Sequence, residues 1–300
     1  MPMTENDRRF IQDAALYLER PSFSMRMANL IGRPIELGLE KLPEALRKQI
    51  GLASHKALQS CLRVALYSLH KVQGASRRHA PAGPGGIPTS MIEEGEKNFA
   101  ISRVTHGAAT IVTGALGGAF GLAGMTLELP VSTTVILHSI ASIAQGFGID
   151  LDEPSAQLEC LAVLSMGAPS EGESAVDPLF AESSYFTHRA VMAKLVTQAS
   201  AFIARATATE LSEALAKGSA PALVRMIGQM AARFEVVVSG KAMGQMIPLV
   251  GAGSGALINA AYTDHFTTVA KYHFGIRSLE LKYGSDEVRR LYDWNRVAQA

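Results

Sequence analysis

Between Arg103 and Asp150 run 46 residues with a single charged side chain, Glu128. So long a stretch with so little charge is kept from water. It forms either the centre of a helical core or a hairpin entering a bilayer with Glu128 near its turn. Of the 18 residues from Gly107 to Gly124, six are Gly and five Ala. Gly114 with Gly118, and Gly117 with Gly121, make two interleaved G-x-x-x-G pairs. Small residues at this spacing strip bulk from one helix face and let a partner backbone come close. The large apolar residues there are Ile111, Val112, Leu116, Phe120 and Leu122, a marginal set for independent insertion into a bilayer.

A shorter version of the same design lies between Lys241 and Asp264, where 22 uncharged residues include Gly244, Pro248, Gly251, Gly253 and Gly255. Each Gly-rich apolar segment precedes a longer, more polar helical one. The expected fold is therefore all-α: a single multi-helix bundle with two Gly-rich apolar helical hairpins and little or no sheet. Composition agrees, with 48% hydrophobic residues, 18% charged and a mean hydropathy of +0.15, on the apolar side of ordinary soluble chains. Met1 to Phe10 is too polar for a signal peptide, and Cys61 and Cys160 sit far apart in predicted helices, so a reducing, cytoplasmic setting is expected.

Charge divides the chain into three zones. Residues 1–103 carry 15 Lys/Arg against 10 Asp/Glu, residues 104–190 carry 1 against 9, and residues 191–300 carry 12 against 8. No acidic residue falls between Glu44 and Glu93, whereas Arg47, Lys48, Lys56, Arg63, Lys71, Arg77 and Arg78 do. A helix over Glu44 to Lys71 would place Leu58, Cys61, Leu62, Ala65, Leu69 and Val72 on one side and Lys56, Arg63 and His70 on the other. Lys56, Arg63, Arg77 and Arg78 are thus candidates for meeting an anionic lipid surface or an acidic partner. Nucleic acid is not an expected partner, because this basic helix lacks interleaved exposed aromatics.

The remaining punctuation gives the order of elements. A first helix is expected from Asp7 to Leu18, with N-terminal helices occupying 1–73. Gly74 to Ser90, with four Gly and three Pro, reads as a loop over 74–90. The first Gly-rich hairpin fills 91–167 after a short polar helical start at Glu93 to Asn98, and an acidic loop follows over 168–184. C-terminal helices occupy 185–300: one across Ala190 to Ala216, and one from Pro221 through Val238.

Searches for catalytic patterns give little. No His is followed by Glu as in H-E-x-x-H, and no G-x-S-x-G is present. No metal site or cofactor is implied; His265 and His273, eight apart on a predicted helix, read as structural. What stands out is a set of isolated polar groups in apolar surroundings: Glu128, His138, Glu159, Lys241 and Asn259. Glu128 reads either as a dipole-stabilising residue near a helix start or as a buried acid paired with Lys241 or Arg189. If Glu128 and Glu159 converged in a cleft, mutual repulsion would raise one pKa and supply an acid and a base. They are the weak catalytic candidates; His138, Lys241 and Asn259 are candidate buried polar groups for binding.

A family resemblance rests on particular runs. Gly117-Gly118-Ala119-Phe120-Gly121, Glu128-Leu129-Pro130, Gly148-Ile149-Asp150-Leu151 and Glu159-Cys160-Leu161 resemble the EcsC family of bacterial proteins. So do Lys241-Ala242, Ile247-Pro248-Leu249-Val250-Gly251-Ala252, Gly255-Ala256-Leu257-Ile258-Asn259 and Arg277-Ser278-Leu279-Glu280. The resemblance spans roughly Phe10 to Gly284. Position 128 is Glu where the family more often has Asp. The resemblance implies an all-helical protein without an established activity, named for a gene beside an ABC-transporter operon linked to secretion; some members carry a peptidase label. Export or ABC-transporter-linked proteins are the partners it suggests, and the inner face of the cell membrane is the expected site of peripheral attachment.

Three readings stay open: a non-catalytic membrane-associated protein accessory to an envelope or export process, a soluble helical module holding a hydrophobic or lipid-like ligand between its Gly-rich helices, and a hydrolase using buried carboxylates.

Overall fold

A computed structural model of the chain describes residues 2–19, 43–72, 96, 99–100, 121–166, 184–246 and 251–298. Among them there is helix and no strand. The helices among the described residues are α1 (Glu5–Glu19), α2 (Glu44–Val72), α3 (Gly121–Gly146), α4 (Pro154–Ala162), α5 (Ser184–Ile203), α6 (Ala208–Lys217), α7 (Pro221–Met246), α8 (Gly251–Tyr283) and α9 (Ser285–Val297), with a 3-10 turn at Val163–Ser165. The loop expected at 74–90, Gly114, Gly117 and Gly118 of the G-x-x-x-G pairs, Arg77, Arg78 and nearly all of the acidic loop at 168–184 lie outside the described residues. No described helix is long and apolar enough to cross a membrane.

Local chemistry explains the boundaries. Thr4 caps α1 by accepting a hydrogen bond from the Asp7 amide at 3.2 Å, and Glu5 and Asp7 complement the positive end of the helix. After α3 the chain reverses at Gly148, whose φ of 78° suits glycine. There the Ile149 amide bonds back to the Ala144 carbonyl at 3.0 Å, a Schellman closure. Pro154 and Pro221 each occupy the first helical position of α4 and α7, where their missing N–H costs nothing.

The expected helix across Ala190 to Ala216 is in fact two, α5 and α6, broken at residues 204–207. The cause is a capping box: Thr207 Oγ1 accepts the Glu210 amide at 3.3 Å, and Glu210 Oε2 accepts the Thr207 amide at 2.8 Å. The helix opened by Pro221 runs beyond Val238 to Met246, and Val236-Val237-Val238 is helical within it.

The 33-residue α8, about 50 Å long at 1.5 Å per residue, is the spine of the molecule. It packs on α1, α3, α7 and α9, while α2 packs on α3, α4 and α7. One hydrophobic cluster takes side chains from every helix, with Tyr262, Phe266 and Phe274 of α8 fully buried in it. α1 lies so close to α8 that a Cβ at Gly275 would sit inside the ring of Phe10, a residue itself packed at 5.5 Å on Tyr272.

Candidate functional site

Glu128, Lys241 and Asn259 come from three different helices and meet in one buried place. Lys241 Nζ donates to Glu128 Oε1 at 2.8 Å, and Asn259 Nδ2 donates to the same oxygen at 2.7 Å. The Lys241 side chain has no solvent exposure and that of Glu128 only 5%. The ammonium also lies 4.6 Å from the centroid of the Tyr262 ring, in cation–π range. Burial pushes the Lys241 pKa down, and the charge and hydrogen bond of Glu128 pull it part of the way back. Burial also pushes the Tyr262 hydroxyl far above its ordinary value. The second carboxylate oxygen, Glu128 Oε2, is buried without a hydrogen-bond partner.

Glu128 stands at the eighth position of α3, so of its two expected roles the structure has the buried pair rather than the helix-start residue. Two residues on, Pro130 is inside the helix and contributes no amide hydrogen. Thr133 and Ser132 return their hydroxyls to the Leu129 carbonyl at 2.7 and 3.2 Å, and Thr134 bonds the Pro130 carbonyl at 2.8 Å. The turn that positions Glu128 is thereby stitched by side chains.

Glu159 belongs to a second network. Its Oε1 accepts from His273 Nε2 at 3.0 Å, its Oε2 pairs with Arg277, and Tyr185 OH lies 2.9 Å from His273 Nδ1. Because a carboxylate only accepts, the ring carries its proton on Nε2, and Nδ1 accepts from the tyrosine. Burial, reinforced by the charge of Arg189, lowers the His273 pKa to about 3 and keeps the ring neutral. Arg189, the other cation considered for Glu128, instead grips Glu280 through both nitrogens at 2.9 and 2.5 Å.

The two carboxylates therefore do not converge. Their partners Asn259 and His273 are 14 residues apart on α8, about 21 Å of helix axis. A shared acid–base pair at Glu128 and Glu159 lacks the required geometry.

His138, expected as a buried polar group, is exposed. Val131, His138 and Gln145 recur every seven residues on a stripe of α3 that faces outward. Its Nδ1 donates to the Thr134 carbonyl at 2.9 Å. Lys56 and Arg63 are exposed on α2, whose opposite side buries Leu58, Cys61, Leu62 and Ala65.

No motif or spacing announced the buried pair of Ser165 and His188, whose Oγ and Nε2 are 2.9 Å apart. Ser165 Oγ donates its proton to the Ala162 carbonyl at 2.7 Å, so the imidazole is the donor to the serine. That polarity caps a helix end and is the reverse of what activates a nucleophile.

The family model for the EcsC protein family matches residues 9–279, and the chain belongs to that family. No curated protein and no solved structure matches it.

Proposed function

We propose that this EcsC-family chain is a non-catalytic, membrane-associated helical protein, accessory to an envelope or export process, that attaches peripherally to anionic lipid at the inner face of the cell membrane. The observation that carries the reading is the outer face of α2. Lys56 and Arg63 are exposed there, two turns apart on one stripe, with no acidic partner among the described residues, and Leu52 stands on the same face 63% exposed. An amphipathic helix that shows unpaired cations around an apolar residue is suited to lie along a headgroup layer. Each such cation is worth about 1 kcal/mol near an anionic surface, so the two supply roughly thirtyfold in partitioning. The role in export, and any ABC-transporter-linked partner, rests on family resemblance.

Flotation on vesicles tests the attachment. The protein should rise with phosphatidylserine-containing vesicles at low salt, stay behind with neutral ones, and be released by high salt. Lys56→Glu with Arg63→Glu should abolish flotation while leaving the helical circular-dichroism signal unchanged. Equal binding to neutral vesicles, or no effect of charge reversal, would reject this surface. A second reading, a module that takes a small amphiphile, is favoured by an open cleft between α2, α3 and α4; most of the Gly-rich helix pair, where a closed pocket was expected, lies outside the described residues.

A further inference from the structure

The cleft, of about 230 Å³, has an apolar wall made by Val64, Ala65, Leu137, Ala141, Leu151 and Cys160. Three of its polar groups present acceptors, and the exposed Gln145 adds an amide that can donate or accept. Gln157 reaches it from α4 with its Nε2 fixed on the Leu151 carbonyl at 2.7 Å, which leaves Oε1 buried and without a hydrogen-bond partner. Gln157 is 8% exposed, so an unmatched acceptor is being held out of water beside an open space. Asp152 brings a carboxylate to the mouth; its backbone is held by an Asx turn in which Asp150 Oδ1 accepts the Asp152 amide at 2.9 Å. His138 commits its Nδ1–H to the Thr134 carbonyl, so the neutral ring offers only the acceptor Nε2. No Lys or Arg lines the cleft among the described residues.

We infer that this cleft is a binding site for a small amphiphilic amine, with its hydrocarbon or aromatic part against the apolar wall and its ammonium donating to Gln157 Oε1 and Asp152. Such a ligand supplies the donor that the buried Gln157 Oε1 lacks and the charge that Asp152 selects. A carboxylate ligand would meet the Asp152 charge with no Lys or Arg in the lining to compensate it. Scaling from a cavity of about 150 Å³ that takes benzene, the space suits roughly nine non-hydrogen atoms. An arylalkylamine has that size. The site deepens the ligand-binding reading and does not depend on membrane attachment.

The test is calorimetric titration of the intact chain with three probes of matched size: 2-phenylethylamine, 2-phenylethanol and phenylacetate. The amine should bind about two- to fivefold more tightly than the alcohol, the span a single exposed ion pair provides, and phenylacetate should not bind. Asp152→Asn, at an exposed position, should erase the preference for amine over alcohol. Ala141→Phe, which fills the cleft from the half-buried side of α3, should abolish binding with the thermal transition retained. Gln157→Met should weaken both donors alike. Equal affinity for amine and alcohol in the unaltered protein, tighter binding of phenylacetate, binding that survives Ala141→Phe, or no heat with any probe would each overturn the inference. Vesicle flotation of the same preparation reports on the α2 surface separately, so failure of either proposal is read on its own.

Discussion

Removing one member of the Glu128–Lys241 pair should cost far more than removing both. Lys241→Met leaves a carboxylate only 5% exposed, with Asn259 Nδ2 at 2.7 Å as its remaining donor and Oε2 with none. Stranding one charge of a buried pair costs about 3–5 kcal/mol. At roughly 2 °C per kcal/mol for a chain of this size, the thermal midpoint should fall by about 6–10 °C. Glu128→Leu strands the ammonium instead, and a lysine already pushed down by burial can escape by releasing its proton. Because the unfolded chain would keep that proton up to about pH 10.4, the Glu128→Leu protein should regain stability as pH rises above 7. The double variant, Glu128→Leu with Lys241→Met, has no charge left to strand. Its loss should be about 1–3 kcal/mol, set by the Asn259 donor that has lost its acceptor. Urea denaturation of the four proteins at pH 7.5 gives the coupling energy, expected to exceed about 3 kcal/mol. Additivity of the two single losses within about 0.5 kcal/mol would refute the reasoning. The double variant should also float on anionic vesicles like the parent, since the pair lies inside the bundle and the proposed lipid face on α2.

Two further tests probe the rest of the framework. His273 stays neutral in the fold to about pH 3, while an unfolded histidine takes up a proton near pH 6.5; stability should therefore fall as pH drops below 6.5, by about 1.4 kcal/mol per unit. His273→Gln removes that slope, so its stability gap to the parent should narrow by about 2 kcal/mol between pH 7 and pH 5, and parallel curves would contradict the neutral-ring assignment. Gly275→Ala should destabilise by about 1–3 kcal/mol by driving a methyl into the Phe10 ring. A compensating Phe10→Leu should return part of that loss, whereas no recovery would place the strain elsewhere.

The all-helical architecture was legible because the punctuation is strong: Pro43 ends one stretch just before α2, and Pro221 starts α7 at its first residue. The division of α5 from α6 was not, since Ala204-Arg205-Ala206 favours helix and only the Thr207-to-Glu210 spacing marks the restart. Glu128 and Lys241 could be paired on paper because each stands at or inside an otherwise uncharged run, and a charge buried there requires its opposite. Glu159 gave no such hint: its partner His273 lies 114 residues away and obeys no ligand spacing. The exposure of His138 was hidden for a different reason. An apolar neighbourhood in sequence says nothing about which stripe of a helix faces out, and the stripe through Val131, His138 and Gln145 is one that the packing leaves open.

α2 contributes to both proposed surfaces, which raises the question of whether they communicate. Arg63 faces outward while its neighbours Val64 and Ala65 line the cleft, so the two sites are one residue apart along the chain. Coupling would require that filling the cleft shift α2, or that lipid do so. The helix is held against such movement by Leu46, Ile50, Ala57, Leu58, Cys61 and Leu62, all buried on a helix that packs on α3, α4 and α7, and a packed stripe of this kind resists small displacements. The charges also separate the ligands, since the basic face selects anions and the acceptor-lined cleft selects an ammonium. The expected result is independence: saturating 2-phenylethylamine should leave the vesicle partition coefficient unchanged within twofold, and vesicles should leave the amine affinity unchanged by the same factor. Reciprocity demands that any coupling appear equally in both measurements. A matched shift in the two would mean that α2 moves as a body, and that the cleft regulates attachment.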